Sequence, residues 1–320
     1  MFRGRRSTPQ GEHRPVLLDE VLAVLDVRAG AIVVDGTVGW AGHSVELLRR
    51  AGPEGRLIGL DLDADNLPRA RARLTATGLP FSLHHSNFAA LPAILATEGV
   101  REVNGVLADL GMSSMQVDDA ERGFSYVRDG PLDMRMDRSR GRSAAKVLAT
   151  ISEPDLAGAL RDLGDEPEAE RIAAALVAAR QQTPLERTSD VTRVILEANA
   201  LAERVRHTGW RLHPAPGRWN LHPAARTFQT LRILVNRELG NLEQLLRVLP
   251  GVLAPAGVAA IISFHSGEDR LVKSAFRDSL RLGVYSAISD EPIRAAFAER
   301  TRNPRSRSAK LRWARRSSSS

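Results

Sequence analysis

The sequence predicts an α/β protein, a doubly wound parallel sheet that carries a smaller inserted helical domain. Three observations lead there. Short apolar runs recur in the first third of the chain, several of them ending in an acid, and each is followed by a turn and an amphipathic helix pattern. This strand, loop, helix rhythm stops after Gly111, gives way to helix patterns alone, and returns near Gly257. The chain of 320 residues, 43% apolar and 26% charged, is large enough for one domain with an insertion and excludes a disordered or fibrous protein.

Taken in order, the first strand is Ala31 to Asp35, followed by a Gly-rich turn and a helix over Ser44 to Arg50. Arg56 to Asp61, Phe81 to Ser86 and Val103 to Asp109 are the next strands, with helices near Asp65 to Thr77 and Ala89 to Glu98 between them. Helices are then expected over Ser143 to Thr150, Glu153 to Leu163, Ala169 to Gln181 and Ser189 to Glu203. Arg206 to Pro223, rich in Pro, Gly, His and Trp, reads as an irregular connection closing the insertion. One long helix over Ala224 to Leu249 leads back to a buried strand, Gly257 to Phe264, and a helix over Glu268 to Leu280. Short strands near Val284 to Ile288 and Ala309 to Trp313 complete the sheet. These limits divide the chain into residues 1–116 with 218–320, and an insertion of residues 117–217.

The charge balance narrows the partners. Lys and Arg number 45 against 38 acids, a net charge of +7, and Arg294, Arg300, Arg302, Arg305, Arg307, Lys310, Arg312, Arg315 and Arg316 crowd the C-terminus. Such clustering fits a polyanion, with a solubilising tail as the plainer alternative. No apolar run approaches the roughly 20 residues of a membrane helix, so a cytoplasmic protein with no membrane partner is expected. The first eleven residues are basic and acid-free but few for an organellar transit peptide. The eight His residues show no ligand spacing, and Asp118, Asp119 and Glu121 read as a capped turn, so no bound metal is expected.

In doubly wound sheets ligands bind beyond the carboxyl ends of the strands, here just after Asp35, Asp61, Ser86, Asp109 and Phe264. The first loop places glycines at 36, 39 and 42, but Val38 stands where a dinucleotide fingerprint needs glycine. A nucleoside cofactor without phosphates fits better. S-adenosyl-L-methionine is one, and Asp61, nineteen residues past Gly42, stands where a carboxylate takes two vicinal ribose hydroxyls. Ordinary turns and a helix cap are the alternative for these residues. Asp109, at the fourth strand end, can accept a proton from an amine nucleophile, or cap a turn, and Ser113 and Ser114 follow it as base-placing or capping hydroxyls. His265 either lines the pocket or satisfies a strand end. With no Cys, methylation at carbon 5 of a pyrimidine, which proceeds through a cysteine adduct, is excluded.

The segments HRPVLLDE from His13, DGTVGWAGHS, DLGMSSMQVDDAERGFSYVRDGPLDMRMD, RTFQTLRILVNREL, ISFHSGEDRLVK and NPRSRSAKLR closely resemble one family over nearly the whole chain. That family is the small-subunit ribosomal RNA methyltransferase H family, whose members methylate N4 of a cytosine in the decoding region of 16S rRNA. The resemblance implies a Rossmann-like class I methyltransferase sheet, S-adenosyl-L-methionine as cofactor, and 16S rRNA as partner, within the small ribosomal subunit. It implies cofactor contacts at Gly42, His43, Asp61, Phe88, Asp109 and Gln116 and RNA recognition by the insertion; Gly39 and Ala41 of the same first loop join the expected cofactor site, and Asp109, Ser113 and Ser114 are the expected catalytic residues on their own chemistry. Arg122, Arg128, Arg135 and Arg138 are candidates to grip phosphate. Ala41 departs from the family's glycine and Gly267 from its leucine, which leaves open a non-catalytic RNA-binding factor on the same fold.

Overall fold

The computed structural model describes residues 15–199 and 222–318. The first fourteen residues, nearly all of the Arg206 to Pro223 connection and the 217/218 boundary lie outside the described residues. The chain divides into two compact units, Met1–Gly111 with Leu239–Ser320, and Met112–Glu238.

The first unit is a seven-stranded sheet. Its strands are β1 (Ile32–Asp35), β2 (Arg56–Asp61), β3 (Phe81–His85), β4 (Val103–Asp109), β5 (Leu253–Ser263), β6 (Tyr285–Ile288) and β7 (Lys310–Arg316), in the order β3-β2-β1-β4-β5-β7-β6. The first five run parallel in register, Val34 beside Ile58 and Val106, and Asp109 beside Ile262. Both faces are covered. Val33, Leu57, Leu107, Val258, Ala260 and Ile262 join one core, and their neighbours Val34, Ile58, Val106, Ala108, Ala259 and Ile261 join the other. This is the period-2 alternation of strands buried on both sides. Helices α1 (Leu18–Leu25), α2 (Gly42–Ala51) and α3 (Leu67–Thr75) pack on the first face. The second face carries α4 (Leu91–Thr97), and two helices further along the chain, residues 238–252 and 266–281.

One strand departs from the parallel expectation. β7 lies antiparallel between β5 and β6, with Ala260 opposite Trp313. A parallel return needs a crossover of a dozen or more residues, usually a helix packed on the sheet. The segment before β7 instead holds two short helical turns, Phe297–Arg302 and Pro304–Arg307.

The second unit begins with α5 (Ser114–Asp118) and a long irregular loop, then α6 (Ala144–Thr150), α7 (Glu153–Gly164), α8 (Ala169–Gln182), α9 (Thr188–Ala198) and α10 (Ala225–Asn236). Leu148, Leu156, Leu160, Ile172, Leu176, Val191, Ile195, Phe228 and Leu231 form its core. Ser143 and Ser152 cap α6 and α7 by accepting the backbone N–H of Lys146 and Asp155. The single helix expected over Ala224 to Leu249 is two helices, α10 and α11 (Glu238–Val252), broken at Arg237, whose φ is 52°. Asn236 at the break donates to the Met134 carbonyl and accepts from the Met136 N–H, both at 2.8 Å, tying the helix end to the loop. Arg232 and Glu238 pair across the break through two 2.8 Å bonds. No Gly or Pro marks this break, so local propensity carried no sign of it.

Gly130 turns the loop where it meets α9. Its N–H donates to the Thr188 hydroxyl, and a Cβ there would lie 2.7 Å from the carbonyl carbon of Ala120 and closer still to its oxygen. Gly130→Ala is expected to destabilise the chain by about 3 kcal/mol, because backbone and not a flexible side chain must move. Urea unfolding checks this, and a loss within about 0.5 kcal/mol would contradict the close approach.

Candidate active site

Three strand-end acids stand along the carboxyl edge of the parallel sheet: Asp35 on β1, Asp61 on β2 and Asp109 on β4. The loop after β1 knits them together. Asp35 accepts the Thr37 N–H at 3.1 Å and the Ser44 hydroxyl at 2.6 Å, which ties the strand end to α2. Thr37 returns its hydroxyl oxygen to the Asp109 N–H at 2.7 Å, and Gly39 donates its N–H to Asp61 at 2.6 Å. Thr37 and Ser44 were not singled out in the sequence. Their roles come from contacts seventy-two and nine residues away, and only the first strand-end motif hinted at them.

Ala41 occupies the left-handed region, with φ 61° and ψ 33°, where glycine is favoured. Its methyl is fully buried and belongs to the core cluster. Gly42 answers a different demand, since a Cβ there would stand 2.6 Å from Pro15 Cγ. Trp40 is held from α3, with the Arg69 guanidinium 3.3 Å above its ring and Arg73 donating to its carbonyl at 2.8 Å. Phe88 lies against Gly36, where a Cβ would be 3.1 Å from Phe88 Cβ.

Asp61 is buried and accepts from Gly39 and Asp63 N–H groups at 2.6 and 2.7 Å, with the Asn66 amide farther off at 3.3 Å. Burial pushes its carboxyl up to about 6 in spite of those donors. Each carboxylate oxygen takes one backbone N–H, and the Asn66 amide lies long to both, at 3.4 and 3.3 Å, a contact that a pair of ribose hydroxyls can displace or share.

His43 is buried, and burial drives it below its usual range, so the ring is neutral. Nε2 lies 2.9 Å from the Val16 carbonyl, which can only accept, so Nε2 carries the hydrogen and Nδ1 keeps a lone pair. That nitrogen lies 3.9 Å from Asp109 Oδ2. The other oxygen, Oδ1, is enclosed and has no hydrogen-bond partner among the described residues, although the side chain as a whole is 25% exposed. Burial, then the charges of Asp35 and Glu268, push the Asp109 carboxyl up to about 8, while Arg305 pulls it down. An enclosed, unpartnered carboxylate oxygen at a strand end is costly for folding and suits a group that receives a ligand.

His265 caps the helix α12 (Ser266–Arg281), its Nδ1 accepting the Glu268 N–H at 3.4 Å, while Glu268 accepts the Phe264 N–H at 2.9 Å. Gly267 lies in the first turn of that helix. In the second unit, Ser113 accepts the Gln116 N–H at 3.3 Å and Gln116 accepts the Ser113 N–H at 2.9 Å, a reciprocal cap of α5. Ser114 is the first residue of that helix.

Of the arginines expected to grip phosphate, Arg122 is 5% exposed and donates to the carbonyls of Arg135 and Met136 at 3.1 and 3.0 Å, so it bolts the loop from within. Arg128 pairs with Asp118 and Arg135 with Asp133, at 3.2 and 2.7 Å. Arg138 is exposed. Asp119 caps a short turn by accepting the Glu121 N–H at 3.0 Å. No helix among the described residues is long and apolar enough to cross a membrane.

The MraW methylase family model matches residues 10–317. The chain belongs to the MraW methylase family. Proteins named ribosomal RNA small subunit methyltransferase H are similar to it from end to end. That of Syntrophus aciditrophicus is 42% identical, covering 96% of this chain and 99% of its own. That of Geobacter sp. (strain M21) is 43% identical over 94% of this chain and 97% of its own, and that of Symbiobacterium thermophilum 42% identical over 94% and 95%. As an MraW methylase the chain uses S-adenosyl-L-methionine, and the acceptor oxygens of Asp61 and the partly exposed side chain of Asp109 fit that group.

Proposed function

We infer that this MraW methylase transfers a methyl group to 16S rRNA, onto the exocyclic N4 of a cytosine in the decoding region. The family supports the substrate, and the unpartnered carboxylate oxygen of Asp109 carries the chemistry. S-adenosyl-L-methionine supplies, when bound, a methyl group already activated on a sulfonium sulfur. Asp61 would hold its ribose hydroxyls, with the backbone at Gly39, Ala41 and Gly42 beside it. Phe88 would flank its adenine, and His43 and Gln116 complete the contacts in this reading.

The protein's remaining task is to align the amine and take its proton. Cytosine N4 is a poor nucleophile because its lone pair is delocalised into the ring, and a carboxylate accepting one N–H returns density to nitrogen. As the N–C bond forms, the nitrogen sheds one proton, which Asp109 receives. Neutral His43, with its Nδ1 lone pair facing Asp109, offers no hydrogen to that side chain, and Asp109 acts as the base in its ionised form. Ser113 and Ser114, four and five residues on in the chain, are proposed to place the base. The insertion is assigned to RNA recognition, and the target base is presented single-stranded or flipped. The assembled small subunit is the proposed substrate form and the cytoplasm the proposed location.

Incubation with S-adenosyl-L-methionine and small subunits lacking N4 methylation, followed by nuclease digestion and nucleoside mass spectrometry, tests this. N4-methylcytidine is expected. Methyl incorporated into another nucleoside, or none into RNA despite cofactor binding, overturns the assignment.

A further inference from the structure

Among the described residues Phe297 is the one phenylalanine that stands out in solvent, 78% exposed, while the others are buried or half-buried. It opens the short helix Phe297–Arg302, α13, which puts Arg300 one turn on, on the same side. Arg307 folds back from the following turn, its Nε donating to the Arg300 carbonyl at 3.2 Å, which brings its guanidinium to the end of that helix. Arg300 and Arg307 are exposed, and neither pairs with a carboxylate among the described residues. The helix's own acid, Glu299, is turned elsewhere and accepts the Leu17 N–H at 3.0 Å. An aromatic face bordered by unpaired arginines is the composition of a single-strand nucleic-acid surface, the ring stacking a base and the cations facing phosphate.

The surface also leads to the reacting centre. Arg305, in the turn Pro304–Arg307 between Arg300 and β7, lies near enough to Asp109 for its charge to act on that carboxylate. Further along, Lys310 and Arg312 are committed to Asp269 at 3.0 and 2.7 Å, which anchors the base of the segment and leaves its tip for a ligand.

We propose that Phe297, Arg300 and Arg307 form a docking surface for single-stranded ribosomal RNA, one unpaired base stacking on Phe297 and the flanking phosphates seated on the two arginines. This rests on the reading of the chain as an RNA methyltransferase. It adds where the strand beside the target cytosine lies.

Binding of a short single-stranded RNA from the decoding region, and of a duplex of the same sequence, to the full chain is measured by fluorescence anisotropy over a salt series. Phe297→Ala is expected to weaken single-strand binding about tenfold, and Phe297→Trp to preserve it. Arg300→Ala with Arg307→Ala is expected to lower the slope of log affinity against log salt by about 1.4, two phosphate contacts' worth. S-adenosyl-L-methionine affinity should stay unchanged in all three, which separates this surface from the cofactor site. Unaltered affinity and slope overturn the proposal, as does an equal loss by Phe297→Ala on duplex and single strand, or a wild-type chain that binds no RNA. Methylation assayed in parallel reports on the proposed activity separately. Binding lost in the variants while the wild type methylates nothing supports the surface and sinks the activity.

Discussion

Asp109→Asn is expected to lower methyl transfer about a thousandfold and to make the folded chain more stable at pH 8. The two effects share one cause. The carboxyl is pushed up to about 8 by burial and by Asp35 and Glu268, so between about pH 4 and pH 8 the folded chain binds more protons than the unfolded chain. Stability from this group is therefore present at acid pH and lost as pH rises through that window. Asparagine has no proton to lose, and the gain relative to the parent is expected to grow to several kcal/mol at pH 8 and to vanish near pH 4. Thermal unfolding at both pH values measures it. The same ionisation makes the base, so parent kcat/KM should climb with pH toward a plateau above 8, and Arg305→Ala should shift the climb to higher pH. An Asn variant that keeps turnover, or one stabilised equally at both pH values, would remove Asp109 from the proposed role.

Asp61→Asn is expected to weaken S-adenosyl-L-methionine about thirtyfold, because one oxygen that accepts both a backbone N–H and a hydroxyl becomes a donor. In the parent the carboxyl is pushed up to about 6, so it is charged above that value and neutral below it. Cofactor affinity should be level above pH 7 and fall as pH drops through 6. A contact that does not titrate in this range would hold the cofactor equally at all these pH values. Calorimetric titration at pH 5 and pH 8 separates the two, and a pH-independent affinity would move the ribose hydroxyls away from Asp61.

Much of the sheet was legible because it is written locally. Most interior positions of β1, β2, β4 and β5 are buried and taken by apolar residues or glycine, so Arg56 to Asp61 and Val103 to Asp109 stand out as runs with abrupt acidic ends. Their acids fall at the carboxyl edge, where the strands of such a sheet end and ligands bind. The helices of the second unit were equally plain, marked by Ser143 and Ser152 at their starts.

What sequence order alone established is which segments are strands and helices, and which acids and glycines lie at the strand ends, since burial imposes a short repeating pattern on neighbouring residues. Contacts between distant residues settled the rest. The break at Arg237 depends on Asn236 meeting Met134 and Met136 a hundred residues earlier, and the reversal of β7 follows a segment that forms two short turns and no long crossover helix. Arg122 looked like a surface cation and is an interior bolt because two carbonyls of its own loop close over it. The carboxyl of Asp109 sits far above its ordinary range because burial, then the charges of Asp35 and Glu268, raise it against the pull of Arg305, groups spread over 270 residues of chain. Charge acts through space and not along the chain, so a pattern of nearest neighbours cannot encode it.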